Sequence, residues 1–440
     1  MPTAIEIFKH LPKKNCGKCN YPTCLAFAMQ LANSKAKLDD CPFVSEQARA
    51  ALAASSAPPI RLVRFGSGAR VIELGDETEL YRHEKRFFHP TAFTVVVPDS
   101  LAPSEAGRRA KEIAAVRFER VGQALSFDAV CIRDVSGDAA RFASAAEAVG
   151  SSVDLPLVLS SGSPERMRQA AMKVIQRRPL LHGANAQNLV PMAALAKELS
   201  CPLALMQNGL GEMADLVAQA RAAGVEDLVM DFRTSGLKDQ LESSTVARKH
   251  SVKKTYRGLG YPILVEAGKG EDGILRGMLA VMKYGGLVLF EEISEAQALP
   301  LFVLRQNIYT DPQVPIQVKP GMYPVNGAKE DSPILFTTNF SLTYFTVLAD
   351  IEKSKAPAWL LVVDSEGLSV MTAFSAGKLT PEIVAKALES SGAREKSRSG
   401  ILVMPGMVSR MSGKLQEATG LKVIVGPKES SGLPKFMKGL

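Results

Sequence analysis

Histidine and tryptophan are scarce in this chain of 440 residues, which holds five of the first and one of the second. The histidines are His10, His83, His89, His182 and His250, so nothing after residue 250 offers an imidazole to a metal or to proton transfer. No stretch approaches the ~18 consecutive apolar residues of a membrane span. Met1 to Lys14 lacks the apolar core of a secretory signal, so the chain is expected to be cytoplasmic, with no membrane partner. Also missing are an H-E-x-x-H motif, a metal triad and paired carboxylates at a readable spacing. Lys and Arg outnumber Asp and Glu, 53 against 45, but the excess is scattered and forms no basic stripe with interleaved aromatics. No nucleic-acid partner is expected, although an anionic cofactor or acidic partner stays open.

What is present is concentrated. Four of the six cysteines, Cys16, Cys19, Cys24 and Cys41, stand in the order C-x2-C-x4-C-x16-C and end on a Cys-Pro step. Three thiolates within nine residues can close on one face of a compact inorganic core, and a fourth arriving after a helix completes the shell. Gly17 and Pro22 suit a tight loop whose N–H groups turn toward sulfide, and Lys13, Lys14 and Lys18 offset anionic charge. The reading is an iron-sulfur site. Zinc, which usually takes two separated C-x2-4-C knuckles, is the alternative, and a disulfide framework belongs to secreted chains. Cys131 and Cys201 sit inside apolar runs and are read as small buried hydrophobes.

The chain divides into three parts by composition. Residues 1–58 carry two short helical patterns and too few apolar residues for a core of their own, so a metal cluster would staple them. Ala50 to Pro59 reads as a linker. A hairpin over Ile60 to Phe65 and Ala69 to Leu74 opens the second part, residues 59–312. Eight strand-length apolar runs follow: Phe93–Val97, Ala129–Ile132, Leu157–Ser160, Leu180–Gly183, Leu203–Met206, Leu228–Asp231, Ile263–Glu266 and Leu287–Glu291. Helical periodicity fills the gaps, for example over Ser104 to Leu125 and Pro164 to Arg177. That count predicts an α/β chain with a central (β/α)8 (TIM) barrel, ahead of an open doubly wound sheet. Its strand ends offer Asp99, Asp134, Asn185, Asn208, Asp231, Arg233 and Glu266, each read as a structural loop cap before a catalytic group.

Residues 313–440 form the third part. Val314 to Asp331, rich in Pro and Gly, reads as a linker and a candidate hinge. Four strand-like runs then alternate with helices, which predicts a small Rossmann-like, doubly wound α/β domain with its ligand outside the carboxyl ends of the strands. The loops there are rich in Thr, Ser and Gly and poor in acids and bases, which suits a large ligand bearing amides and phosphate; ordinary βα connections favour the same residues.

With these parts in order, the cysteine unit and the segments TTNFSLTYFTV, DSEGLSVMTAFSAGK and VGPKESSGLP closely resemble the large (gamma) subunit family of the corrinoid/iron-sulfur protein of the acetyl-CoA pathway. The resemblance covers essentially the whole chain. It implies a methyl carrier of the methyltransferase class, whose corrinoid cobalt as Co(I) takes a methyl group from methyl-tetrahydrofolate or methyl-tetrahydropterin through a separate methyltransferase. The methyl group then passes to acetyl-CoA synthase, and a 4Fe4S cluster re-reduces cobalt that has drifted to Co(II). Implied partners are a small barrel subunit in a heterodimer, the methyltransferase, acetyl-CoA synthase/CO dehydrogenase and a reductive activator protein.

By the same resemblance the cluster ligands fall on Cys16, Cys19, Cys24 and Cys41. The corrinoid contacts fall on Thr337, Thr343, Gly367, Leu368, Ser369, Val370 and Ser430, with Ser431 close behind Ser430. Many corrinoid methyltransferases use a D-x-H-x-x-G loop whose histidine coordinates cobalt, whereas the comparable loop here is Asp364-Ser365-Glu366-Gly367. No histidine of this part can ligate the metal, so a cobalamin-type corrinoid would have no protein nitrogen on its lower face, which favours reduction. The competing reading is a barrel methyltransferase that binds a pterin itself, with the cysteine unit as a redox or structural appendage; a scaffold with a zinc-stapled start is a third.

Overall fold

The computed structural model of the chain describes residues 4–32, 36, 38–46, 48, 58–84, 86–311 and 314–440. Its contacts divide into two compact units, Met1–Val116 with Ser126–Tyr309, and Arg117–Leu125 with Thr310–Leu440.

In the first unit, strands β1 (Val63–Ser67) and β2 (Arg70–Leu74) pair as an antiparallel hairpin. β3 (Ala92–Pro98) follows; the next hairpin in the chain, β4 (Arg117–Arg120) with β5 (Gln123–Ser126), falls in the second unit up to Leu125. The periodicity over Ser104 to Leu125 predicted one helix, but the helix runs only over Pro103–Ala115. The β4–β5 turn holds Val121 and Gly122 at φ 53° and 69°, the primed turn that matches strand twist. With Val where Asn or Gly usually announces it, that turn carries no signal in the sequence.

The remaining strands of this unit are β6 (Ala129–Arg133), β7 (Leu157–Ser160), β8 (Leu180–Ala184), β9 (Leu203–Met206), β10 (Leu228–Asp231), β11 (Ile263–Gly268) and β12 (Gly285–Phe290). With β3 they close an eight-stranded parallel barrel in chain order, β12 returning to β3. All eight expected strands are there. Each is nearly continuous apolar sequence because a parallel barrel strand is buried on both faces. The helix Ala139–Ser152 shows how the outer layer forms: Asp138 caps it by accepting from the N–H groups of Ala140 and Arg141. Phe142, Ala145, Ala146 and Val149 then supply its buried stripe. Val63, Phe65 and Leu74 of the first hairpin pack among the inward residues at the strand starts, including Ala129, Leu180, Ala204 and Leu264, and plug that end of the barrel. Fully buried side chains of this kind contribute about 1.5–3 kcal/mol each.

The second unit holds β13 (Gly321–Val325), β14 (Ile334–Thr338), β15 (Ala358–Val363), β16 (Ile401–Met404) and β17 (Lys422–Val425). The sheet order is β13-β15-β14-β16-β17, with β13 antiparallel and the rest parallel. This is the doubly wound arrangement, with helices covering both faces. Ile334, Phe336, Leu361 and Leu402 face one core, and Leu335, Leu360 and Val403 face the other, in strict alternation.

The stretch Val314 to Asp331 is not the free linker its Pro and Gly content suggested. Gln317 bridges to Phe340, and Gly321–Val325 is a sheet strand. Pro324 is tolerated there because β13 lies on the edge, where a missing N–H costs nothing. The other candidate hinge, Ala50 to Pro59, lies outside the described residues except for its last two.

Candidate functional site

In the second unit the chain leaves β14 for β15 on one side and later places β16 on the other. The topological switch point therefore lies between β14 and β16. A cavity of about 410 Å3 opens at the carboxyl ends of these strands. It is built from four loops. Thr337 ends β14, Thr343 lies on the following helix Ser341–Ser354, Ser369 and Val370 start the short helix after β15, and Ser430 follows β17. Five of the seven residues expected here thus line one cavity.

The other two, Gly367 and Leu368, are not in its wall. Gly367 has φ +76°, and a Cβ there would stand 2.8 Å from Gln317 Cγ. Leu368 packs against the core behind the cavity. They belong to the loop that carries Ser369 and Val370 forward.

That loop is fixed by Asn339, which sequence reading passed over. Buried at 1% exposure, its Oδ1 accepts from the N–H groups of Ser365 and Gly367 and from Ser365 Oγ, at 2.9, 3.0 and 2.8 Å. Its Nδ2 donates to Asp364 Oδ1 and Gln317 Oε1. Glu366, in the place of the histidine of a D-x-H-x-x-G loop, pairs with Lys378. At the far wall, Lys353 hydrogen-bonds Asp350 at 2.8 Å and holds its carboxyl below the usual range, and the Ser430 hydroxyl adds a second bond.

Two features mark the cavity as a ligand site. Thr337 Oγ1, in its wall, is buried without a hydrogen-bond partner, a cost that a bound polar group would relieve. Leu342, Met371 and Met407 stand exposed on its lining, an apolar surface left open to water.

The four amino-terminal cysteines occupy a loop and its flanks. Cys24 opens the helix Cys24–Ala32, and its N–H donates to Asn15 Oδ1 at 2.8 Å. Gly17 turns the loop at φ +70°. Cys19, Cys24 and Cys41 are buried beside Ile7, Leu11 and Phe27, whereas Cys16 is exposed; all four thiols are free. Lys14 and Lys18 stack their ammonium groups on Phe43, and Lys13 on Phe8. Thiolates around one zinc at 2.3 Å stand about 3.8 Å apart. Among the described residues, the one trio of His, Cys, Asp or Glu ligand atoms within 4.8 Å lies elsewhere, in the barrel. No three of the four thiols stand within that distance of one another.

That other trio is His182, Asp231 and Glu266. The inward positions of the barrel are apolar for two layers and turn polar at the last. Cys131 is followed by Arg133, Val158 by Ser160, Leu180 by His182, Val229 by Asp231 and Leu264 by Glu266. Of the other strand-end candidates, Asp99 accepts from the Val135 and Ser136 N–H groups, and Asp134 from Ser161 Oγ and Arg166 Nε. Both act as loop ties, as their sequence context suggested. His182 and Arg133 had no local signal; only the shared two-residue step past an inward apolar residue marks them.

A family model described as "CO dehydrogenase/acetyl-CoA synthase delta subunit" matches residues 62–437, and one described as "Putative Fe-S cluster" matches residues 11–43. The chain is 44% identical over 438 residues to the corrinoid/iron-sulfur protein large subunit of Moorella thermoacetica, covering 99% of this chain and 98% of that one. The chain belongs to the large-subunit family of the corrinoid/iron-sulfur protein. The archaeal branch of this family is represented by subunit gamma of the acetyl-CoA decarbonylase/synthase complex of Methanothermobacter thermautotrophicus, 35% identical over 100% of this chain and 99% of that one. A solved dihydropteroate synthase of Xanthomonas albilineans overlays 57% of the chain and all of its own with a TM-score of 0.42 at 14% identity. The match to the iron-sulfur model spans Cys16, Cys19, Cys24 and Cys41, and the other begins at residue 62. No described helix is long and apolar enough to cross a membrane.

Proposed function

We propose that this chain is the methyl-carrying and electron-accepting subunit of a cytoplasmic corrinoid/iron-sulfur protein. It receives a methyl group from methyl-tetrahydrofolate, or a related pterin, through a separate methyltransferase and delivers it to acetyl-CoA synthase. A small subunit completes the heterodimer, and a reductive activator restores lapsed cofactor. When bound, a corrinoid supplies a cobalt that accepts and releases methyl groups, and a 4Fe4S cluster supplies single electrons.

The chain's own residues supply position and exclusion. Residues 1–58 carry the cluster ligands, Cys16, Cys19, Cys24 and Cys41. Cys16, the exposed one, puts the edge of that site within reach of an electron donor. Residues 313–440 hold the corrinoid. The hydroxyls of Thr337, Thr343, Ser369 and Ser430 would be available to its polar groups and Val370 and the apolar rim to its hydrocarbon, and Asn339 holds the Ser365–Val370 loop in place. No side chain from Asp364 to Val370 carries a nitrogen, so none of them can coordinate a metal through one.

The observation that carries this reading is the unpartnered, buried Thr337 hydroxyl in the wall of a large cavity in a histidine-free domain. The test is the cobalt, iron and zinc content of anaerobically prepared protein co-produced with its small subunit and a corrinoid supply. Red to brown protein with about one cobalt and four irons supports the proposal. Iron without cobalt favours a barrel enzyme with an iron-sulfur appendage, and colourless, cobalt-free protein refutes the proposal.

A further inference from the structure

We infer that His182, Asp231 and Glu266 bind one divalent cation at the carboxyl-terminal mouth of the barrel, in a site separate from both cofactors. One ligand atom from each lies within 4.8 Å of the others. His182 and Asp231 are almost wholly buried, with side chains 1% and 3% exposed.

The imidazole is oriented for the task. Its Nδ1 lies 3.0 Å from Ser160 Oγ, and its Nε2 faces Asp231 Oδ2 at 3.2 Å and Glu266 Oε1 at 3.8 Å. A ligating histidine is typically held in this way, by a hydrogen bond at the nitrogen that does not meet the metal. The carboxylates are held too: Asp231 Oδ1 accepts from the Arg233 N–H, and Glu266 accepts from Arg133 Nη2 at 2.9 Å and Arg233 Nη1 at 2.7 Å. Each of these oxygens keeps a second lone pair.

The charges leave room for a cation. Among the described residues, Asp231, Glu266 and Glu291 pair with the guanidiniums of Arg133 and Arg233 and with the His182 imidazole, and Asp231 Oδ2 is 3.8 Å from the nearer guanidinium. With His182 neutral, three carboxylates share two guanidiniums, and a metal ion at Nε2 would supply the remaining positive charge.

The site is open on one side. A cavity of about 260 Å3 adjoins it, lined by Asp231, Glu266, Arg233, Thr234, Gln240 and Arg276. Gln240 is 1% exposed, yet its Oε1 has no partner. That acceptor suits a water, or an oxygen-bearing solute, completing the coordination shell from the cavity. One imidazole with two carboxylates selects Mn2+, Fe2+ or Zn2+ over softer ions.

The test is a Mn2+ titration of the anaerobic heterodimer with both cofactors loaded, with free Mn2+ read by its six-line EPR signal. One saturable site is expected, displaced by Zn2+, and weakened at least about ten-fold in Asp231→Asn and in Glu266→Gln. Near-UV circular dichroism of each variant checks the fold, and Glu266→Gln stands in should Asp231→Asn fail to fold. Absence of saturable binding in the wild type, or binding that survives both carboxylate substitutions, overturns the inference. Because the readout is ion binding and not methyl transfer, its failure would leave the proposed function untouched.

Discussion

Asn339→Ala tests whether one buried amide sets the shape of the cavity wall. The substitution removes the acceptor shared by the Ser365 and Gly367 N–H groups, both of which are buried. A buried donor left unpaired costs about 1–3 kcal/mol, so two cost about 2–6, less what water entering the vacated space recovers. A loss of about 3 kcal/mol at this loop is a little over two orders of magnitude in its opening equilibrium. Hydrogen exchange followed by mass spectrometry on the peptide spanning residues 364–370 of the full chain should show amide exchange faster by about that factor. The barrel peptides should be unaffected, since the hydrogen bonds of Asn339 stay within its own unit. Asn339→Asp keeps the acceptor but sets a second carboxylate about 3.0 Å from Asp364, so its loop should loosen as pH rises and both ionise. Unchanged exchange in Asn339→Ala would refute the reasoning, because the loop would then be held by something other than these bonds.

Three more outcomes follow from single features. Thr337→Val removes a buried hydroxyl that has no partner in the chain. It should stabilise the cofactor-free protein by roughly 1–3 kcal/mol against urea while weakening corrinoid retention on dialysis, and the opposite signs are the point. Burial pushes the Cys131 thiol up to about 12 and the Cys201 thiol up to about 11, so iodoacetamide at pH 8.5 should spare both in the native chain and label both after unfolding. The fold favours their protonated form, so stability present below pH 9 should fall as pH rises from 9 toward 12. Gly66→Ala places a Cβ 2.3 Å from the Arg70 carbonyl oxygen at φ +98°, and should lower the midpoint of barrel unfolding through the plug hairpin.

Much of this molecule was legible in the order of its residues, and for local reasons. The cysteine spacing, the eight apolar runs and the four runs of the last domain need only neighbours in the chain to be seen. So does the absence of histidine after residue 250. The errors were local too. A Pro- and Gly-rich stretch became the edge strand Gly321–Val325, because an edge tolerates Pro324. A helix was read through Arg117–Leu125, because Val121 hid a tight turn.

What the tertiary structure decided is which distant side chains meet. Asn339 reaches Gly367 only because β14 and β15 are neighbours, and nothing in either segment says so. His182, Asp231 and Glu266 come from three strands that no spacing rule connects. They converge because barrel closure turns the same inward position of β8, β10 and β11 toward one axis. Sequence by itself fixes what each strand is made of and which face is apolar. Convergence at the mouth is a property of the closed sheet, since only closure brings positions dozens of residues apart to within a hydrogen bond of one another.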